Sequence, residues 1–134
     1  MCLPLGNTGN FNYTNRRVVV TGWGKTEKGA ASPVLLKAKL EVSPRKDCQE
    51  KHTRNKIQET QLCAGRQGGP KGVDSCKGDS GGPLHSLEFL HDEPRYIQQG
   101  IVSFGPSDCG KVALPGVYTR VAFYLDWILD QLQP

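Results

Sequence analysis

Asp74, Ser75, Cys76, Lys77, Gly78, Asp79, Ser80, Gly81, Gly82, Pro83 and Leu84 form one run in which a single serine sits among glycines next to two carboxylates and a cysteine. A serine that attacks a carbonyl carbon develops negative charge on the carbonyl oxygen. Backbone N–H groups stabilise that charge best where glycines let the main chain come close. Ser80 is therefore the candidate nucleophile, and the amides of Gly78 and Ser80 are the candidate oxyanion donors. Hydrolysis also needs a base to take the hydroxyl proton and a group to orient that base. The chain offers His52, His85 and His91, and each reads as a surface histidine rather than as that base.

A loop of this kind has to be held by a rigid body. Three apolar-rich runs have strand length, Arg17 to Thr21, Leu35 to Val42 and Tyr96 to Phe104. In the second, Leu36, Ala38, Leu40 and Val42 alternate with polar neighbours, as a half-buried strand requires. Turn clusters lie between them at Lys28 to Pro33, Arg66 to Gly72 and Gly105 to Gly110. Several short antiparallel strands with frequent turns predict a small barrel or sandwich. Ser43 and Pro44 predict the start of a polar helix running to Thr53. Val121, Leu125, Ile128, Leu129 and Leu132 recur at helical spacing, with Tyr124 and Trp127 adding aromatic surface. They predict an amphipathic C-terminal helix packed on the body.

The 134 residues suit one domain, and 16 Gly with 9 Pro suit a turn-rich globular chain rather than a helical bundle. No apolar stretch reaches membrane-spanning length, and Met1 to Asn10 has neither the basic start nor the apolar run of a signal peptide. The net charge is +4, and the basic residues concentrate between Arg16 and Lys56. No aromatics interleave with them as a nucleic-acid stacking surface requires, so a solvated face is expected and neither nucleic acid nor membrane is an expected partner. Five cysteines without a Cys-x-x-Cys pair favour disulfides over zinc, and so an oxidising compartment. Composition alone leaves their pairing open. Asn12, Tyr13 and Thr14 form a glycosylation acceptor that fits a secreted surface loop.

The run around Ser80 resembles the nucleophile segment of trypsin-like serine proteases, and other segments resemble that family in its own order. These are Thr21 to Gly24 (Thr-Gly-Trp-Gly), Leu62 to Gly65 (Leu-Cys-Ala-Gly), Ser103 to Gly105, Pro115 to Val121, and Trp127 with Ile128. The resemblance covers nearly the whole chain. It implies an all-β fold, the six-stranded antiparallel Greek-key barrel that is the second of the family's two, followed by a C-terminal α-helix. It also implies residues 1–16 as an inter-barrel linker, 17–120 as the barrel and 121–132 as the helix. The implied activity is that of a serine endopeptidase of the family's triad mechanism, with no metal and no cofactor.

The resemblance further assigns roles. Asp74 lies at the floor of the primary substrate pocket and pairs with an arginine or lysine side chain, so cleavage follows Arg or Lys. Ser75, Gly116 and Tyr118 line that pocket, and Ser103, Phe104 and Gly105 line the groove beside it, pairing an extended substrate as an added strand. Asp79 is the carboxylate that meets a new N-terminal ammonium after zymogen cleavage. Cys48 pairs with Cys63 and Cys76 with Cys109, while Cys2 reaches a segment outside this chain. A secreted, extracellular zymogen with protein substrates and serpin-type inhibitors is the implied setting.

Departures from the family pattern limit the expectation. No histidine lies in anything like the family's Ala-Ala-His-Cys segment, and the orienting aspartate is missing too. The expected account is the C-terminal half of a catalytic domain, inactive on its own, with Met1 an internal or artificial start. Val18 and Ser86 stand where many members place a bridge, and Pro106, Ser107, Asp108 and Cys109 follow Gly105. Both features resemble the clip-domain proteases of arthropod immune and developmental cascades. Pro115 stands where sodium-regulated members place tyrosine, which argues against sodium activation. A non-catalytic homologue acting as a binding or cofactor module is the alternative. An α/β-hydrolase elbow is a third, weaker reading, because Lys71 to Lys77 is not strand-like and Pro83 follows two glycines.

Overall fold

In the computed structural model, residues 1–6, 12–66, 75–106 and 113–132 are described. Six strands close into one barrel in the order β1-β2-β3-β6-β5-β4. They are β1 (Arg17–Gly22), β2 (Leu36–Ser43), β3 (Gln61–Gly65), β4 (Pro83–Leu90), β5 (Glu93–Phe104) and β6 (Gly116–Arg120). Every neighbouring pair is antiparallel. β4 returns beside β1 after the meander β1-β2-β3, which is the Greek-key arrangement.

The core forms from alternate residues of these strands. Val18 and Val20 of β1, Leu40 and Val42 of β2, Ala64, Leu84, Val102 and Tyr118 are buried together. Register follows from this. A one-residue slip of β1 on β2, paired as Val18 with Leu40 and Val20 with Ala38, would turn the valines outward. Leu36, at the start of the alternating run, is exposed. β3, β4 and β6 carry no alternation strong enough to be read without the resemblance. β4 opens with a proline and β6 with a glycine, residues that weaken any strand signal.

A second cluster lies outside the barrel, where Cys48, Ile57, Cys63 and Val117 are buried and Phe104 packs against them. The helix that carries Cys48 runs Arg45–Lys51, shorter than the predicted Ser43 to Thr53. Ser43 ends β2 instead, paired with Cys63, and Pro44 takes the cap position without a side-chain cap bond. A Cys48–Cys63 disulfide ties the helix to β3.

The C-terminal segment also differs from expectation. Val121–Tyr124 is a 3-10 turn and Leu125–Gln131 a short α-helix. Val121 is buried, but no residue of the α-helix is, and Trp127 is 64% exposed. Along the apolar stripe Val121 is covered and Leu125 and Ile128 are half-buried, but Leu129 and Leu132 stand exposed. At the other terminus Cys2 adds a bridge to Ile97, with its amide donating to Tyr96 and its carbonyl accepting from Gln98.

Candidate active site

The segment from Ser75 to Gly82 enters β4 at the end of the barrel where β1, β3 and β5 finish and β6 begins. Residues 103–105 and 116 lie at that same end, so antiparallel alternation alone gathers stretches far apart in sequence. The loop is pinned at several points. Asp79 N–H donates to Cys76 O and Gly82 N–H to Asp79 O, both at 2.9 Å. Gly81 N–H donates to Val102 O at 3.0 Å, and Val102 N–H returns a bond to Gly82 O at 2.9 Å.

The Asp79 carboxylate fastens the rest. Its Oδ2 accepts from Cys76 N–H at 2.9 Å and its Oδ1 from Gly24 N–H at 2.7 Å, which joins the loop to the exit of β1. Gly22 and Gly24 make room for it. A Cβ on Gly22 would overlap Oδ1, and one on Gly24 would come within 2.6 Å of the carboxyl carbon. Glycine at both positions is therefore a packing requirement that the Thr-Gly-Trp-Gly segment carries but the sequence reading did not use.

Among the described residues, the Gly78 and Ser80 amides donate no hydrogen bond and the Ser80 hydroxyl has no partner. Ser80 is exposed. Gly78 has φ of +102°, a conformation that side chains disfavour, and a Cβ there would lie 3.1 Å from the Gly24 Cα. The loop is thus fixed through its neighbours while these two amides and this hydroxyl are left without a partner among the described residues.

The residues expected to line the substrate pocket fall as follows. The Ser75 hydroxyl lies 3.3 Å from the Tyr118 hydroxyl, both buried. Gly116 opens β6 and is buried. β5 meets β6 as Val102 with Tyr118 and Phe104 with Val117, so Ser103 is an extra residue in a bulge and is exposed. β4 pairs with β5 no further than Pro83 opposite Ile101, which leaves residues 103–105 beyond the ladder. Asp74 and Cys109 lie outside the described residues. Cys76 is disulfide-bonded, with its partner outside them as well. Cys2 is an exposed free thiol.

The histidines correct the sequence reading. Only His91 is at the surface, in the tight β4–β5 turn, where it has φ of 51°. His52 is buried, with Nε2 2.7 Å from Pro115 O and its ring edge-on to Phe104. A carbonyl only accepts, so Nε2 carries the proton. His85 is buried on β4 against Tyr96, and its Nδ1 has no partner among the described residues. That burial lowers its pKa from the ordinary 6.5. None of the three bonds to Ser80 among the described residues. No three His, Cys, Asp or Glu among those residues gather as a metal site.

The Trypsin family profile matches residues 2–128. The chain belongs to the trypsin family. This trypsin-family chain is 44% identical over 136 residues to Melanization protease 1 of Drosophila melanogaster, covering 99% of the chain and 33% of that protein. It is 44% identical to the CLIP domain-containing serine protease B4 of Anopheles gambiae, covering 98% of the chain and 36% of that protein. Its fold matches neuropsin, a serine protease expressed in the limbic system of mouse brain, with a TM-score of 0.73 and 31% identity, over 90% of this chain and 49% of that one. The chain thus spans about a third of the length of its curated insect relatives.

Proposed function

We propose that this chain supplies the nucleophile, oxyanion donors and primary pocket of a serine endopeptidase that cleaves after Arg or Lys. The observation that carries the reading is the pinned loop with the Gly78 and Ser80 amides left undonated beside the free Ser80 hydroxyl. In this reading Ser80 attacks the scissile carbonyl, and Gly78 and Ser80 N–H hold the oxyanion. Asp74, Ser75, Gly116 and Tyr118 take the basic side chain, and Ser103, Phe104 and Gly105 pair the substrate main chain. Asp79 meets the ammonium released on zymogen cleavage.

The base and its orienting carboxylate come from a further segment of the protease, since none of the chain's own histidines bonds to Ser80 among the described residues. Without them this chain is inactive, because oxyanion donors alone give a small part of the acceleration. The exposed apolar residues Leu5, Trp23, Leu87 and Trp127 leave apolar surface for a further segment to cover, and Cys2 is free for a bond outside the chain. The CLIP domain in the name of the Anopheles relative supports a clip-domain setting, and a secreted zymogen of a protease cascade is part of the same proposal. No described helix is long and apolar enough to cross a membrane.

The test joins this chain to the preceding part of a protease domain and measures cleavage of arginyl and lysyl peptides. Ser80→Ala is expected to abolish it, and undiminished cleavage would sink the assignment. One observation favours a second reading, a non-catalytic homologue acting as a binding or cofactor module: Ser80 has no base within the described residues. An upstream segment carrying neither histidine nor aspartate at the triad positions would decide for it.

A further inference from the structure

His52 is 7% exposed, belongs to neither barrel nor loop, and is used by no step above. It caps the helix Arg45–Lys51, and its own amide donates to Cys48 O. Its side chain makes two contacts, both to segments that frame the proposed pocket. Nε2 donates to the carbonyl of Pro115, the residue before Gly116, and the ring stands edge-on to Phe104 at 6.0 Å between centroids and 88° between planes. Pro115 also packs closely on the neighbouring strand β3, where a Cβ on Gly65 would lie 3.2 Å from its Cα. The Cys48–Cys63 bond fixes the helix to β3. A disulfide, a helix end and one imidazole thus form a rigid strut behind the pocket.

We infer that His52 is a positioning residue that sets the placement of Pro115–Gly116 and of Phe104, and through them the affinity for the substrate's basic side chain. Pro115 precedes the ladder pair of Ala64 with Gly116, so its carbonyl takes its donor from outside the sheet, from His52. The role is one of reach and direction rather than of charge.

The inference rests on the protease reading, and the test separates the two. In the complete, activated protease His52→Gln and His52→Asn are compared. The Gln amide reaches where Nε2 stands, and the Asn amide stops where Nδ1 stands. His52→Asn is expected to raise KM for an arginyl peptide amide and Ki for benzamidine about tenfold with kcat within twofold, while His52→Gln stays within about threefold of the parent on both. The Gly116 amide resonance should move in His52→Asn and hold in His52→Gln. Equal behaviour of the two variants, or a fall in kcat alone, overturns the inference. If His52→Asn does not fold, His52→Phe takes its place, keeping the ring and losing the donor, with the same outcomes deciding. A Gly116 resonance that moves as expected in a protein with no Ser80-dependent cleavage would retain the strut and discard the function.

Discussion

The Asp79 carboxylate joins two segments distant in sequence through two amides, and the glycines around it are as necessary as the carboxylate itself. Gly22→Ala would drive a methyl into Oδ1, so either the loop or the end of β1 must move. The expected result is a destabilisation of about 1–3 kcal/mol in denaturant unfolding, together with loss of Ser80-dependent hydrolysis beyond what that destabilisation explains. Asp79→Asn keeps one acceptor oxygen but places an amide toward Gly24 or Cys76 N–H, where two donors would face each other. A fall in benzamidine affinity, read by calorimetry on the complete protease, is the expected consequence, and unchanged affinity would show that the loop holds without this carboxylate.

At the scale of elements, the Cys48–Cys63 bond closes a loop of 15 residues between helix and barrel. Replacing both by alanine is expected to cost about 3 kcal/mol from unfolded-state entropy alone, measured as a drop in the unfolding free energy with the m-value raised by a looser denatured chain. Much of this architecture was legible in the sequence. Val18, Val20, Leu40 and Val42 showed their face through alternation, and the family-like segments placed β3, β4 and β6 where Gly and Pro hid them. Ser80, Gly78 and Asp79 were legible because their run is local. The helix start was misplaced since Ser43 and Pro44 look like a cap, while the pairing of Ser43 with Cys63 depends on a strand that local pattern cannot see. His52 and His85 were read as exposed for the same reason. The burial of His52 depends on Pro115, 63 residues away, and short polar context around a histidine says nothing of such a partner. The C-terminal stripe was seen but not its incomplete cover, because periodicity shows that a face is apolar and not which body meets it.

For the whole molecule, His85 links stability to pH. Burial holds its pKa below the ordinary 6.5, so the unfolded chain binds the proton more readily than the folded one. This group costs the folded state nothing well above pH 6.5 and lowers stability progressively as pH falls below it. Unfolding free energies at pH 7.5 and 5.5 should therefore differ more in the parent than in His85→Phe, and an equal difference would remove His85 from the account.

His85 also marks where the barrel closes. β1 and β4 meet through only two pairs, Val19 with His85 and Val20 with Leu84, whereas β4 and β5 run together from Pro83 to Leu90. A closed sheet has no free edge until one ladder parts, and the shortest ladder parts at least cost. Amides along this join should accordingly lose hydrogen-exchange protection first, and sooner in mild acid. Since the Ser80 loop feeds straight into β4 at the join, the Ser80 end of the molecule would sense a subglobal opening before the distant hairpin at His91 and Asp92 does.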